Sequence, residues 1–145
     1  MFSQDFREFI KLLIKNKAEY LIVGGYAVGI HGHPRYTGDL DIWLKASPEN
    51  AGLILKSVNE FGFSSFKLNL ADFTKPGNVI QLGYPPFRID LLTELDGVVF
   101  DECFKNRKEV IIEDLKVNFI GYNDLLKNKK ESGRPQDLDD IENLK

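Results

Sequence analysis

The spacing of apolar residues divides the first part of the chain into helical and extended segments. Residues 4 to about 16 place apolar side chains at helical spacing with charged residues between them, which predicts an amphipathic helix. The short apolar runs over residues 20–23 and 39–44 are typical of strands. Two glycines end the first of these runs, and a brief helix is predicted over residues 26–31.

The middle of the chain combines a well-marked helix with two short strands. Ser47 is a hydroxyl cap and Pro48 suits the first helical position, so a helix is predicted from there to Phe61, just before a glycine. Residues 79–82 and 87–92 have strand character. Their short connection leaves no room for a crossover, so the two strands are predicted to be antiparallel.

The remaining segments define the fold class. Residues 63–70 have an ambiguous pattern, and residues 71–78 are mostly of turn type. The last third is predicted to contain a short helix near 101–107, strands over 110–112 and 117–120 that turn at 114–116, and helices over about 122–131 and 135–144. This order of mixed strands and helices predicts an α+β or α/β fold with a mixed sheet.

Length and composition indicate one soluble domain over residues 1–145. The chain is 43% hydrophobic and 28% charged, and no apolar stretch approaches the ~20 residues of a membrane span. The first residues lack a basic segment followed by an apolar one, so no signal peptide is predicted. A single cysteine, Cys103, fits a reducing cytoplasm, and its acidic neighbours favour a buried thiol over a nucleophile. The net charge of −3 gives no overall attraction to nucleic acid.

Two carboxylates stand two residues apart on one predicted strand. Because strand side chains alternate, Asp39 and Asp41 project to the same side, where they repel each other unless a cation lies between them. Oxygen ligands favour Mg²⁺. Arg88 and Asp90 likewise share a face, so Asp90 is a candidate third ligand, with Glu94 as second choice. The alternative is a solvated sheet face near a turn, where acids are common.

A glycine pair provides a candidate phosphate site. Gly24 and Gly25 lie between a predicted strand and a predicted helix, where backbone N–H groups and the helix dipole can bind an anion. Glycine pairs also occur in plain turns, so this reading depends on its combination with the carboxylates.

These motifs together resemble the nucleotidyltransferase superfamily of DNA polymerase β type. The resemblance rests on the Gly24–Gly25 pair, on residues 35–41 and on residues 88–92, and it is greatest to small prokaryotic proteins akin to AbiEii-type toxins and minimal nucleotidyltransferases. It implies a nucleotidyltransferase fold with a mixed β-sheet flanked by helices and a C-terminal helix pair. It also implies that the glycines contact a triphosphate and that Asp39, Asp41 and Asp90 are catalytic and bind metal.

The C-terminal tail extends the resemblance. Residues 128–141 are similar to the final motif of AbiEii-like proteins, which implies that Lys129, Arg134 and Asp137 line the nucleotide site. Arg134 suits bidentate pairing with phosphate or with Asp137. The alternative for this region is an ordinary solvated helix pair with a salt bridge.

Further candidates and two departures complete the comparison with the superfamily. Arg35 and Thr37 join the candidate nucleotide-binding residues. Many members carry Gly-Ser where this chain has Gly24–Gly25, which removes a hydroxyl that faces phosphate. Gln136 stands where a second lysine is frequent, which lowers the positive charge facing a triphosphate.

The predicted function is transfer of a nucleoside monophosphate from an NTP to an acceptor hydroxyl, dependent on Mg²⁺ or Mn²⁺. Asp90 is also the predicted acceptor of the hydroxyl proton. By resemblance, tRNA or a protein is the expected acceptor, in a toxin–antitoxin setting with a cognate partner. The alternatives are a non-catalytic module that binds nucleotide or protein, and an interaction protein in which Asp39 and Asp41 lie far from Asp90.

Overall fold

The computed structural model describes residues 2–63, 67–84 and 86–145. Residues 64–66 belong to the segment whose pattern was ambiguous, and Pro85 to the predicted connection between two strands. These parts of the two predictions lie outside the described residues.

A six-stranded mixed sheet forms the centre of the molecule, in the order β3-β4-β2-β1-β6-β5. The strands are β1 (Tyr20–Val23), β2 (Leu40–Leu44), β3 (Val79–Leu82), β4 (Ile89–Leu92), β5 (Lys108–Ile112) and β6 (Leu115–Phe119). Strand β1 pairs antiparallel with β2 and parallel with β6, and β2 pairs parallel with β4. The outer pairs β3–β4 and β5–β6 are antiparallel, as the short connections predicted.

Six α-helices are described along the chain. They are α1 (Gln4–Lys15), α2 (Gly24–Ile30), α3 (Pro48–Val58), α4 (Phe100–Lys105), α5 (Tyr122–Ser132) and α6 (Pro135–Leu144). The cap residues explain several boundaries: the hydroxyls of Ser3 and Ser47 accept hydrogen bonds from the first turns of α1 and α3. Gly133 ends α5 in the left-handed conformation. The predicted mixed-sheet α/β fold with a C-terminal helix pair is confirmed.

Several boundaries differ from the sequence prediction, among them the end of α3 at Val58 instead of Phe61 and the start of β5 at Lys108 instead of residue 110. Helix α2 begins at Gly24, two residues early, because Gly24 has φ +67° and turns the chain directly from strand into helix. The turn between β5 and β6 is Glu113–Asp114, both at positive φ, so the predicted turn over 114–116 is displaced. The segment predicted as turn contains a 3-10 turn over Leu70–Phe73.

The core lies between the sheet and its helices. Every residue of β1 is buried, as are Trp43 of β2 and the apolar stripe of α1. In the described residues, no helix is both long and apolar enough to cross a membrane. Cys103 is buried, as predicted, and burial raises the pKa of its thiol to about 12, with Asp124 adding to the effect.

Candidate active site

The strand register brings three parts of the candidate site to one edge of the sheet. Val23, the last residue of β1, is the partner of Asp41, and Asp41 is in turn the partner of Asp90 across the parallel β2–β4 pair. Paired residues on neighbouring strands project to the same face. The Gly24 turn, Asp41 and Asp90 are therefore neighbours, which contradicts the alternative of acids far apart.

Gly24 is a glycine for two separate reasons. Its φ of +67° strains any residue with a side chain. A Cβ on Gly24 would also collide with the Asp41 carboxylate, whose Cγ and Cβ would lie 3.0 and 3.1 Å away. The backbone of the turn therefore lies so close to Asp41 that a side chain at position 24 has no room.

We expect Gly24→Ala to destabilise the fold by about 2 kcal/mol or more, because the left-handed conformation alone costs about 1–2 kcal/mol and the Asp41 side chain must also move. Urea unfolding measures the loss. Gly52→Ala is the matched control, since Gly52 lies inside α3 and its new Cβ would meet only Leu70 at 4.0 Å. That variant should be as stable as the parent or slightly more so. Equal effects of the two substitutions would contradict the proposed close approach.

Thr37 occupies the space next to the second glycine. A Cβ on Gly25 would lie 2.7 Å from Thr37 Oγ1 and 2.9 Å from Thr37 Cβ. A serine at position 25 therefore has no room while threonine stands at position 37. A hydroxyl is still present beside the glycine pair, contributed by Thr37.

Arg88 joins two of the candidate metal ligands. Its Nε donates to Asp90 Oδ1 at 2.7 Å, and its Nη2 donates to Asp90 Oδ2 at 3.1 Å and to Asp39 Oδ2 at 2.9 Å. Sequence reasoning placed Arg88 and Asp90 on one face but assigned Arg88 no role. The alternation of side chains along the strand was the signal that pointed to it.

Among the described residues, Asp41 is the one member of the Asp39, Asp41 and Asp90 cluster that forms no ion pair, and its ionisation is unfavourable. Burial raises its pKa to about 6, and the neighbouring charges of Asp90 and Asp39 add to the effect, while Lys129 and Arg88 oppose it. Asp41 is thus buried beside two other carboxylates, and a bound cation would favour its ionised form.

The C-terminal helix pair contains a network of ion pairs. Lys129 of α5 reaches Asp137 Oδ1 at 3.1 Å and Asp140 Oδ2 at 3.0 Å, both on α6. Arg134 forms a bidentate contact with Asp137, and Arg35 forms one with Asp140. The three predicted phosphate-binding cations are therefore each paired with a carboxylate of α6.

Asp137 and Asp140 are fully buried, at 0% exposure each, and Lys129 is 4% exposed. Burial alone would raise the pKa of Asp137, but hydrogen bonds from Arg134, Ser132 and Lys129 outweigh it and hold the pKa well below the usual 3.8. Burial and pairing act on Asp140 in the same way, with Lys129 and Arg35 lowering its pKa. Both acids are thus held ionised inside the protein, in contrast to the solvated helix pair that was the alternative here.

A cavity of about 510 Å³ connects the carboxylates to the helix pair. Its lining comprises Val23, Gly24, Asp39, Asp41, Arg88, Asp90, Leu92, Glu94, Leu95, Asp96, Asn128, Lys129, Ser132 and Arg134. The size suits a small-molecule ligand. Acids outnumber bases in this lining, so an anionic ligand would need cations to accompany it.

The donors fit a hard divalent cation in chemistry. Asp39, Asp41 and Asp90 supply only carboxylate oxygens, which Mg²⁺ and Mn²⁺ prefer. Burial is the main cause of the raised pKa of Asp41 and the charges of Asp90 and Asp39 add to it, so a cation would relieve part of that cost. In their present positions, however, no three His, Cys, Asp or Glu side chains of the described residues converge as a metal site, and Arg88 holds two of these carboxylates.

The structure separates the predicted site residues between two cavities and one buried position. Those that line the acidic cavity are Gly24, Asp39, Asp41, Asp90, Lys129 and Arg134, together with the second-choice ligand Glu94. Gly25, Arg35 and Thr37 instead line a separate, mainly apolar cavity of about 390 Å³, and Asp137 lies buried beside Lys129. Sequence reasoning missed Asp140, although its spacing from Asp137 places both on one helix face.

A sequence profile of the family described as "Nucleotidyltransferase of unknown function (DUF6036)" matches residues 4–145 of the chain. The chain belongs to this nucleotidyltransferase family, which confirms the superfamily resemblance. No curated protein sequence matches the chain.

Solved structures share the fold at low sequence identity. The Thermotoga maritima protein TM1012, described as a nucleotidyltransferase, has a TM-score of 0.65 at 14% identity, with 94% of this chain and 88% of that chain covered. The lincosamide antibiotic adenylyltransferase LnuA has a TM-score of 0.58 at 16% identity, and the match covers 99% of this chain and 96% of LnuA. The antibiotic-resistance factor ANT(2'')-Ia has a TM-score of 0.59 at 11% identity, and the match covers 97% of this chain and 80% of ANT(2'')-Ia. At these identities the similarity shows the fold.

Proposed function

We propose that the protein transfers a nucleoside monophosphate from an NTP to an acceptor hydroxyl, and that it requires Mg²⁺ or Mn²⁺ to do so. One observation carries the proposal. The strand register brings Asp41 and Asp90 together with the Gly24 turn, in one cavity that Asp39 also lines. Membership of a nucleotidyltransferase family supports the same reaction.

In this proposal Asp39, Asp41 and Asp90 hold the metal. When bound, the cation supplies charge neutralisation for the phosphates and lowers the pKa of the attacking hydroxyl. The hydroxyl oxygen forms a bond to the α-phosphorus, the bond from that phosphorus to the bridging oxygen breaks, and pyrophosphate leaves. Asp90 receives the hydroxyl proton, which requires Arg88 to free one of the Asp90 oxygens.

The phosphate-binding groups are the next part of the proposal. The backbone N–H groups of the Gly24–Gly25 turn lie at the start of α2, where they can donate to phosphate oxygens. The Thr37 hydroxyl lies beside Gly25 and donates to Asp39 O at 3.3 Å, so it must leave that oxygen to donate to phosphate. Lys129 and Arg134 line the cavity and contribute positive charge to it, while Asp137 fixes their positions. Arg35 is bound to Asp140, so in this proposal it acts on the nucleotide site indirectly, by holding α6 in place.

The acceptor and partners follow from the resemblance to AbiEii-type proteins. We propose tRNA or a protein as acceptor, in a cytoplasmic toxin–antitoxin pair, within one domain over residues 1–145. LnuA is an antibiotic adenylyltransferase and ANT(2'')-Ia an antibiotic-resistance factor, so an antibiotic is the acceptor to test beside tRNA and protein.

A non-catalytic nucleotide-binding module is the second candidate, and one observation favours it. Lys129, Arg134 and Arg35 are all paired with the two buried carboxylates of α6. A site whose cations are already neutralised attracts a triphosphate less strongly than one with free cations. With a metal supplying most of the attraction, such a protein would bind the metal–nucleotide complex but lack the free cations that stabilise the phosphates during transfer.

The transfer assay tests the first candidate. The protein is incubated with α-labelled NTPs, Mg²⁺ and each acceptor class, beside an Asp39→Ala/Asp41→Ala double variant. We expect label on one acceptor with the parent protein and none with the variant, because the variant lacks two of the three metal ligands. Transfer that survives the double substitution would overturn the mechanism. Nucleotide binding in calorimetry, without transfer to any acceptor, would favour the second candidate.

A further inference from the structure

One guanidinium engages three of the four carboxylate oxygens of Asp39 and Asp90. The contacts are 2.7 Å and 3.1 Å to the two oxygens of Asp90 and 2.9 Å to one oxygen of Asp39. Such bidentate, charge-assisted contacts are among the strongest hydrogen bonds that proteins make. Arg88 therefore holds the side chains of two adjacent strands together.

The backbone fixes this arrangement. Leu40 N donates to Arg88 O at 2.9 Å, and Leu40 is the register partner of Ile89 in the parallel β2–β4 pair. Asp39 and Arg88 each precede their strand by one residue, so the sheet itself sets them opposite each other. The Arg88 side chain is 25% exposed and lines the cavity, which leaves it room to move.

A divalent cation on the same carboxylates must compete with this guanidinium. Both need the same oxygens, and the two positive charges repel each other at close range. We propose that Arg88 is a built-in competitor for the divalent cation: its Nη2 must release Asp39 Oδ2 and Asp90 Oδ2 before a cation can bind between these carboxylates, and the freed Nη2 then pairs with a phosphate in the same cavity.

The pairing of Arg88 with phosphate rests on the proposed nucleotide substrate. Its competition with the cation for the carboxylates does not. Lys129 and Arg134 are held by carboxylates of α6, whereas the partners of Arg88 are the candidate metal ligands themselves. Cation binding thus frees Arg88 in particular, and its planar guanidinium matches phosphate geometry. By linkage, a nucleotide that captures Arg88 raises cation affinity, and the cation raises nucleotide affinity by the same factor.

The test measures Mn²⁺ affinity from the electron paramagnetic resonance signal of free Mn²⁺, without nucleotide, for the parent protein and Arg88→Gln. We expect Arg88→Gln to bind Mn²⁺ more tightly, by about tenfold or more, because it removes a competing charge from the ligands. Arg88→Lys keeps the charge but loses the bidentate contact, so its affinity should lie between the two. Affinity of Arg88→Gln equal to or weaker than that of the parent would overturn the inference, since weakening is what a residue that orients metal ligands gives.

Arg7→Gln is the matched control. Arg7 is 28% exposed, contacts Glu113 at 3.2 Å and does not line the acidic cavity. Its Mn²⁺ affinity should equal that of the parent. Thermal unfolding adds a readout of folding: Mn²⁺ should raise the midpoint of Arg88→Gln more than that of the parent, because ligand stabilisation grows with affinity. If Arg88→Gln does not fold, the same comparison is made with Arg88→Lys.

A second arm repeats the titration with an NTP analogue that is stable between its α- and β-phosphates. We expect the analogue to raise Mn²⁺ affinity several-fold in the parent and less in Arg88→Gln. An equal rise in both would overturn the transfer of Arg88 to phosphate. No effect of any analogue, with tighter Mn²⁺ binding by Arg88→Gln, would overturn the proposed nucleotide function and support the competition.

Discussion

Lys129→Met is expected to destabilise the fold by about 3 kcal/mol or more, since removing one partner of a buried ion pair typically costs 3–5 kcal/mol. Lys129 is 4% exposed and lies between Asp137 and Asp140, which are both fully buried. Methionine fills similar space but leaves each carboxylate with one cation fewer. Urea unfolding at neutral pH gives the difference in the free energy of unfolding.

Two further variants identify the cause of this loss. Lys15→Met removes an exposed lysine that contacts Glu60 at 2.8 Å, and it should cost less than about 1 kcal/mol because surface pairs contribute little. Adding Asp140→Asn to Lys129→Met should recover part of the loss, since one buried charge is then gone. If Lys129→Met were no more harmful than Lys15→Met, the ion-pair network would not be a structural element.

Asp41→Asn is expected both to stabilise the fold and to remove most of the proposed nucleotidyltransferase activity. The raised pKa of Asp41 means that its ionised form is disfavoured, so the neutral amide should add about 1–2 kcal/mol at pH 7.5 in the presence of EDTA. Nucleotidyl transfer should fall by about a thousandfold, the effect of losing several kcal/mol of charge stabilisation at the metal. Asp139→Asn, at an exposed position on α6, should leave stability within about 0.5 kcal/mol.

The stability gain of Asp41→Asn should depend on pH in a set direction. The carboxyl has a pKa of about 6 in the folded protein against an ordinary value of 3.8 in the unfolded chain, so the folded state binds more protons between these limits. The parent protein therefore loses stability from this group as pH rises through that window. The advantage of the amide should be small near pH 4 and complete above about pH 7. An advantage that grew on acidification would contradict the raised pKa.

The sheet and the acidic half of the site could be predicted because they depend on local patterns. Alternation along a strand placed Asp39 and Asp41 on one face and made Asp90 a candidate third ligand. Two short connections predicted the antiparallel outer pairs. The glycine pair marked the turn into α2, although the start of the helix was misplaced because glycine adds nothing to a hydrophobic pattern.

The charge balance of the site could not be predicted, because it depends on contacts between residues far apart in the chain. Arg35 and Asp140 are 105 positions apart, and Arg88 and Asp39 are 49 apart. The short spacing of Arg134 and Asp137 allowed for one such pair, but no local pattern indicates that Lys129 and Arg35 are also paired with carboxylates of α6. The same is true of Thr37, whose hydroxyl lies beside Gly25 only because the intervening loop folds back.

Metal-dependent nucleotide binding at the Asp41–Asp90 edge of the sheet is the central claim of this account. Calorimetry with an NTP analogue stable between the α- and β-phosphates, in Mn²⁺ or in EDTA, measures it directly on the parent protein and on Asp41→Asn. We expect the parent to bind the analogue in Mn²⁺ and not in EDTA, and Asp41→Asn to bind it in neither. Equal binding by the two proteins, or binding by the parent that is unchanged in EDTA, would contradict the claim.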